Sequence, residues 1–285
     1  MFFEIAHATT YTFSRPVFLE PHTVRLRPRC DGSQRLIRFD LQIEPTPAGL
    51  SEYLDVEGNC VVHTWFDGST ESLRVMARCG VETLRENPFD YIVHPSAARL
   101  PVEYADDLRL SLAPYCSRDS ADDGVAHFAN SIADEVDRQS LPFLAALNRR
   151  IFQMCQVTIR EEGEPQPSEA TLAYRRGACR DLAVLFMDAC RALGLGVRFV
   201  SGYQEGDPEQ ERRDLHAWAE VYVPGGGWRG YDPTHGLAVA DRHVAVAAGI
   251  RPGRAAPITG TFRGTGASSR MQSDVRISVS GGAER

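Results

Sequence analysis

Short stretches of alternating or β-rich character fill the first third of the chain. Tyr11-Thr12-Phe13-Ser14, Thr23-Val24-Arg25-Leu26-Arg27, Leu36-Ile37-Arg38-Phe39-Asp40-Leu41 and Val61-Val62-His63-Thr64-Trp65-Phe66 are separated by turn formers at Cys30-Asp31-Gly32-Ser33, Pro45-Thr46-Pro47-Ala48-Gly49 and Asp67-Gly68-Ser69. Strands at such intervals predict an antiparallel sandwich or barrel-like module over residues 1–115. Beyond Pro114 to Asp123 the period changes. Ile132, Val136, Leu144, Leu147, Ile151, Phe152 and Cys155 recur at helical spacing, and Ser140-Leu141-Pro142 reads as a helix start with proline in the first turn.

A polar segment from Glu161 to Ser168 predicts an exposed loop. The next helix is expected over Ala178 to Leu193, with Leu182, Leu185, Phe186, Ala189, Cys190 and Leu193 on one apolar face and Gly194 as its stop. Strands follow at Val197–Gly202, Leu215–Val223 and Trp228–Tyr231, and a last one at Val275–Val279. The expected class is α+β: a β-rich N-terminal module over 1–115, then over 116–285 a core in which a helix packs on an antiparallel sheet, with the C-terminal strand.

Composition narrows the function. At 43% hydrophobic and 24% charged residues, with a formal net charge of −7, the chain reads as globular and offers no electrostatic reason to bind nucleic acid or an anionic membrane. No apolar run approaches the ~20 residues of a membrane span. The N-terminus, Met1-Phe2-Phe3-Glu4-Ile5-Ala6-His7, lacks the basic and apolar regions of a secretion signal. Seven scattered cysteines, none in a CxxC pair or a zinc-spaced cluster, fit a reduced, cytoplasmic protein and predict neither metal nor cofactor.

Three local contexts carry chemistry. Cys179 follows Arg176-Gly177-Ala178 at the start of the predicted helix, where unpaired backbone N–H groups and the helix dipole favour a thiolate. Gly177 permits a sharp turn, and the Cys179 N–H is the natural first oxyanion donor. Cys190, deep on the apolar face, is a packing residue. On the strand Leu215–Val223, His216, Trp218, Glu220 and Tyr222 share one face, which is expected to line a cleft, while Leu215, Ala217, Ala219, Val221 and Val223 face the core.

The segment Pro224-Gly225-Gly226-Gly227 predicts a hairpin turn. With a three-residue loop, Val223 pairs with Gly227, and Asp232 becomes the diagonal neighbour of His216, roughly 7 Å away between backbones. A four-residue loop places Asp232 on the other face unless a bulge restores the register. Asp232 then orients His216, which serves Cys179 as base. Two competitors stand near. Asp181, in the first helical turn, is expected to serve the dipole or pair with a basic residue, and His235 lies in a predicted turn as a candidate substrate contact.

Gly177-Ala178-Cys179-Arg180-Asp181, His216-Ala217-Trp218-Ala219-Glu220-Val221-Tyr222 and Gly227-Trp228-Arg229-Gly230-Tyr231-Asp232-Pro233-Thr234-His235-Gly236 resemble the core of the bacterial transglutaminase-like superfamily. The stretches Ile5–Tyr11, Pro21-His22 and Arg25–Arg29 resemble the β module preceding that core in one bacterial branch, and His243–Ala247 and Gly260–Gly264 resemble its C-terminal part. The resemblance implies a papain-like core, with Cys179 as nucleophile, His216 as base and then acid, and Asp232 as orienter. It implies thiol-dependent acyl transfer on a protein or peptide substrate: hydrolysis of a peptide or amide bond first, protein-glutamine cross-linking or a non-catalytic peptide-binding scaffold as alternatives. One departure is that no tryptophan lies between Trp65 and Trp218, whereas animal cross-linking enzymes use one upstream of the nucleophile for the oxyanion.

Overall fold

A computed structural model describes residues 1–118, 123–160, 163–206 and 213–281. Six strands open the chain: β1 (Phe2–Leu19), β2 (His22–Val24), β3 (Gln34–Glu44), β4 (Gly49–Leu54), β5 (Cys60–Trp65) and β6 (Thr70–Thr83). Helices α1 (Asp106–Cys116), α2 (Asp123–Glu135) and α3 (Ser140–Met154) follow, then β7 (Gln156–Val157), α4 (Ser168–Tyr174), β8 (Arg176–Gly177) and α5 (Cys179–Arg191). A run of strands closes the chain: β9 (Val197–Gln204), β10 (His216–Val223), β11 (Gly227–Asp232), β12 (Leu237–Ala238), β13 (His243–Gly249), β14 (Ile258–Thr259), β15 (Phe262–Arg263) and β16 (Ser269–Ser280). The class is α+β.

Alternation along β1 buries Phe3, Ile5, His7 and Thr9, as a half-covered strand requires. β1 sits between β6 and β16 in a sheet continued by β3 and β15. A second sheet, β14-β2-β5-β4, faces it, and Phe13, Leu19, Leu26, Val62, Phe66 and Leu73 fill the space between. Pairing of β16 with β1 runs from Phe2↔Ser280 to Phe13↔Ser269, so this sheet draws on chain from both sides of residue 115.

The helical half packs α2, α3 and α5 against the sheet β12-β11-β10-β9-β13. The alternation of β10 is read as expected on one side: Ala217, Ala219, Val221 and Val223 join Leu182, Leu185 and Phe186 of α5 in the main core. At ~1.5–3 kcal/mol per fully buried large apolar side chain, this seam is the main reason that α5 has a fixed position. A third apolar cluster joins the halves, with Phe3, Ile5, Cys79 and Val81 against Tyr203, Val244 and Val246. Among the described residues, no helix is long and apolar enough to cross a membrane.

Two local expectations change. Residues 106–116, read as the end of the β-rich stretch, form α1, which starts with Asp106 and Asp107 in its first turn, where carboxylates complement the dipole. Ser168, placed at the end of a loop, begins α4, whose seven residues are too few to show a helical period. The loop expected from Glu161 lies partly outside the described residues.

Candidate active site

The position of Cys179, the candidate nucleophile, follows from what precedes it. β8 lies parallel to β7, pairing Gly177 with Val157, and Ala178 stays extended at φ −77°, ψ 168°. The helix then begins at Cys179. Asp181, fully buried, turns its carboxylate back over this start. Oδ2 accepts from the Ala178 N–H at 2.8 Å, and Oδ1 accepts from the Gln166 N–H at 2.8 Å and from Arg160 at 2.6 Å. This is half of a capping box, since Ala178 has no side-chain acceptor to return the bond. A Cβ on Gly177 would come within 2.8 Å of the Asp181 Cβ, so the close approach requires glycine. Asp181 therefore does both things expected of it, serving the helix N-terminus and pairing with a basic residue.

The hairpin has the three-residue loop. Val223 pairs with Gly227 and Ala219 with Tyr231, which carries His216 and Asp232 to the same end of the sheet. His216 Nε2 lies 2.8 Å from Asp232 Oδ2, and the Cys179 side chain lies near enough to the His216 ring to help raise its pKa. With Nε2 engaged by Asp232, Nδ1 is the nitrogen left for the thiol. The three sequence-predicted residues thus meet in the order sulfur, imidazole, carboxylate.

Asp232 is more heavily engaged than expected. Its Oδ1 accepts the Thr234 N–H at 2.9 Å. Oδ2 accepts from three imidazoles: His216, His235 through Nδ1 at 2.8 Å, and His243 through Nε2 at 3.0 Å. A carboxylate offers about four acceptor positions, two on each oxygen, so three imidazoles crowd onto Oδ2 while Oδ1 takes the Thr234 N–H. His235, expected as a substrate contact, bonds Asp232 through one nitrogen while its side chain stays 40% exposed. His243, near the start of an obvious apolar strand, is legible in the sequence only as part of a family resemblance; a buried polar residue opening that run is the available signal.

Electrostatics follow. Burial opposes charge on His216, but the Asp232 carboxylate, its hydrogen bond and Cys179 outweigh that, and the pKa is pushed up to about 10. Burial likewise opposes ionisation of Asp232, yet the His216 charge and the three imidazole donors hold its carboxyl well below the usual range. Burial pushes His243 down despite its bond to Asp232. The site is thus arranged as a buried carboxylate, an imidazolium toward the sulfur, and two further imidazole donors.

The expected open face of β10 is closed beyond His216. Trp218 is fully buried, and Glu220 is held by Arg198 and by Arg29 of the N-terminal module. One ligand atom from each of His216, Asp232 and His243 lies within 4.8 Å of the other two. That is close enough for a shared cation in principle, but the 2.8 and 3.0 Å spacings are hydrogen-bond lengths to Asp232 itself. Cys190 is eleven residues past Cys179 in the same helix, about 16 Å along the axis, out of disulfide reach.

Two family models match the chain. The bacterial transglutaminase-like N-terminal region covers residues 3–82, and the transglutaminase-like superfamily covers residues 127–233, including Cys179, His216 and Asp232. Residues 127–233 belong to the transglutaminase-like superfamily. It is 28% identical over 265 residues to an uncharacterised Mycobacterium tuberculosis protein, covering 87% of this chain and 83% of that one. It is 26% identical over 271 residues to an uncharacterised Mycobacterium leprae protein, covering 92% and 94%. The crystal structure of a proposed cysteine protease from Cytophaga hutchinsonii superposes with a TM-score of 0.70, at 20% identity, over 99% of this chain and 92% of that chain. That neighbour shares the whole two-part architecture, so the β module belongs to the fold.

Proposed function

We propose that the chain is a thiol-dependent acyl-transfer enzyme that hydrolyses a peptide or amide bond in a protein or peptide substrate. The observation that carries this reading is His216 set between the Cys179 side chain, which acts on its ring at close range, and Asp232, which it meets at 2.8 Å. In the reaction, the Cys179 sulfur attacks the carbonyl carbon. Negative charge on the carbonyl oxygen is met by the Cys179 N–H, which as the first helical residue has no intrahelical partner. His216 protonates the leaving amine and the C–N bond breaks, leaving a thioester on Cys179. Water then adds to the thioester, giving its proton to His216, and the acid departs as the sulfur is released. A reducing compartment such as the cytoplasm suits a chain whose seven cysteines are unpaired.

The test is the pH dependence of Cys179 alkylation by iodoacetamide in the wild type and in His216→Ala. Fast alkylation well below pH 8 that is lost in the mutant supports the Cys179–His216 pair. Alkylation no faster than a free thiol, and insensitive to the mutation, refutes it and favours a non-catalytic peptide-binding scaffold. Once reactivity is established, a peptide library with a primary amine present distinguishes cleavage from transamidation: new N-termini indicate hydrolysis, and amine incorporation at glutamine overturns the choice of water as acceptor.

A further inference from the structure

The third imidazole on Asp232 comes from an unexpected place. In the sheet order β12-β11-β10-β9-β13, two strands separate β11, which carries Asp232, from β13, which carries His243. His243 nevertheless reaches Asp232 Oδ2 at 3.0 Å while almost completely buried. It does so packed edge-on against the Trp218 indole, with ring centroids 5.3 Å apart. The indole fits because β9 has glycine at position 202, where a Cβ would lie 2.5 Å from the ring. Asp232 is ionised and can only accept, so Nε2 of His243 must carry the proton. Nδ1 is then a bare acceptor, and it has no partner among the described residues. The Nε2 bond to Asp232 is the polar contact that this side chain makes.

β13 is an edge strand, and edges need covering. Here the cover is two buried side-chain amides from the N-terminal module. Gln34 takes the Ala245 N–H on its Oε1 at 2.7 Å and donates to the Ala245 carbonyl at 2.8 Å. Asn59 does the same at Ala248, at 2.8 and 2.7 Å. The Arg29 N–H adds a bond to the Ala245 carbonyl at 3.0 Å. The Gln34 clamp sits where the β13–β9 register shifts, between Ala245 and Ala247, two residues from His243. Each amide acts as a one-residue strand, and together they fix β13 where its own ladder is irregular.

We infer that His243 is a positioning residue for Asp232, and that the N-terminal module holds it in place through Gln34 and Asn59. This rests on the Cys179–His216–Asp232 reading and gives the β module a role in that site. A hydrogen bond to a buried charge is a strong one, so its loss frees Asp232 to turn from His216 and weakens the orientation of the imidazole.

The experiment measures iodoacetamide alkylation of Cys179 at pH 6.5, with thermal unfolding to establish that each variant is folded. His243→Asn is too short to reach Asp232 and is expected to slow alkylation roughly tenfold, the scale of one hydrogen bond to a charged group. His243→Gln places an N–H near the position of Nε2 and is expected to recover most of that rate. In an Asp232→Ala background, His243→Asn is expected to have no further effect, because its route is gone. Gln34→Ala, remote from the reacting atoms, is expected to slow alkylation in the same direction. Unchanged alkylation in His243→Asn, or an equal loss in the Asp232→Ala background, overturns the inference. Wild-type rates in a folded Gln34→Ala, Asn59→Ala double variant overturn the part given to the module. A wild-type thiol with ordinary reactivity refutes the catalytic reading instead, so the two failures are distinct.

Discussion

Replacing Asp181 by alanine isolates the contribution of one buried carboxylate to the start of α5. Four donors lose their acceptor: the Ala178 N–H, the Gln166 N–H, more weakly the Gln166 side-chain amide at 3.4 Å, and the Arg160 guanidinium. The Ala178 N–H is the costly one, since Ala178 is buried and an unpaired buried donor costs about 1–3 kcal/mol. Gln166 is half-buried, and its N–H adds about 1 kcal/mol after partial hydration. The Arg160 side chain is 32% exposed; it finds water and contributes under about 1 kcal/mol. Together these losses come to about 3 kcal/mol. Asn is no rescue, because one of its two positions presents N–H groups to donors. Urea unfolding of wild type, Asp181→Ala and Asp181→Asn, compared at equal m, measures the loss directly. Both variants are expected to lose about 2–4 kcal/mol and to alkylate Cys179 more slowly at pH 6.5, since the same bonds fix the turn before the sulfur. A loss below about 0.5 kcal/mol, within the range of ordinary surface substitutions, would show that water replaces the carboxylate and that Asp181 does not hold this turn.

Three further outcomes are expected. Burial, partly offset by Asp274, lowers His7 from 6.5 to about 4, so the unfolded chain takes up its proton first. Stability from this group is present above pH 6.5 and lost as pH falls toward 4, by about 3 kcal/mol; the urea midpoint should fall further between pH 7.5 and 4.5 in wild type than in His7→Gln, and an equal fall refutes the assignment. Gly202→Ala puts a Cβ 2.2 Å from the Val244 carbonyl and 2.5 Å from the Trp218 ring, and is expected to cost about 1–3 kcal/mol in chemical unfolding. Phe186→Ala, at the centre of the α5 seam, is expected to cost about 3–5 kcal/mol, with a smaller loss showing that the seam collapses around the gap.

The parts of this fold that are legible in the amino-acid sequence share a physical property: their signals are local and periodic. α5 runs Cys179–Arg191 against an expectation of 178–193, with Gly194 at φ 79° as its stop. The β10–β11 hairpin follows from its turn residues, and with it the approach of His216 to Asp232, because register in a short hairpin is fixed by its loop. Cys179 beside His216 rests on the family resemblance and on a helix start, and no periodicity places one against the other. α4 stays hidden because seven residues hold under two turns. The covered face of β10 stays hidden for another reason: alternation says that Trp218 and Glu220 point together, but not that Arg29, about 190 residues earlier in the chain, closes over Glu220.

The same distinction explains why a β module accompanies this core. An antiparallel sheet ending in β13 has a free edge, and that strand carries an imidazole needed by Asp232 and a register shift at Ala245. Backbone pairing with another strand would cover the edge but demands matched register along its length, which an irregular strand cannot supply. Two side-chain amides bond single residues on either side of the irregularity and tolerate it. Gln34 opens β3 and Asn59 immediately precedes β5, and both are buried. The geometry of the edge is therefore set by the sandwich. In the sequence, Gln34 and Asn59 look like polar residues at turns, and their function exists only in the contact.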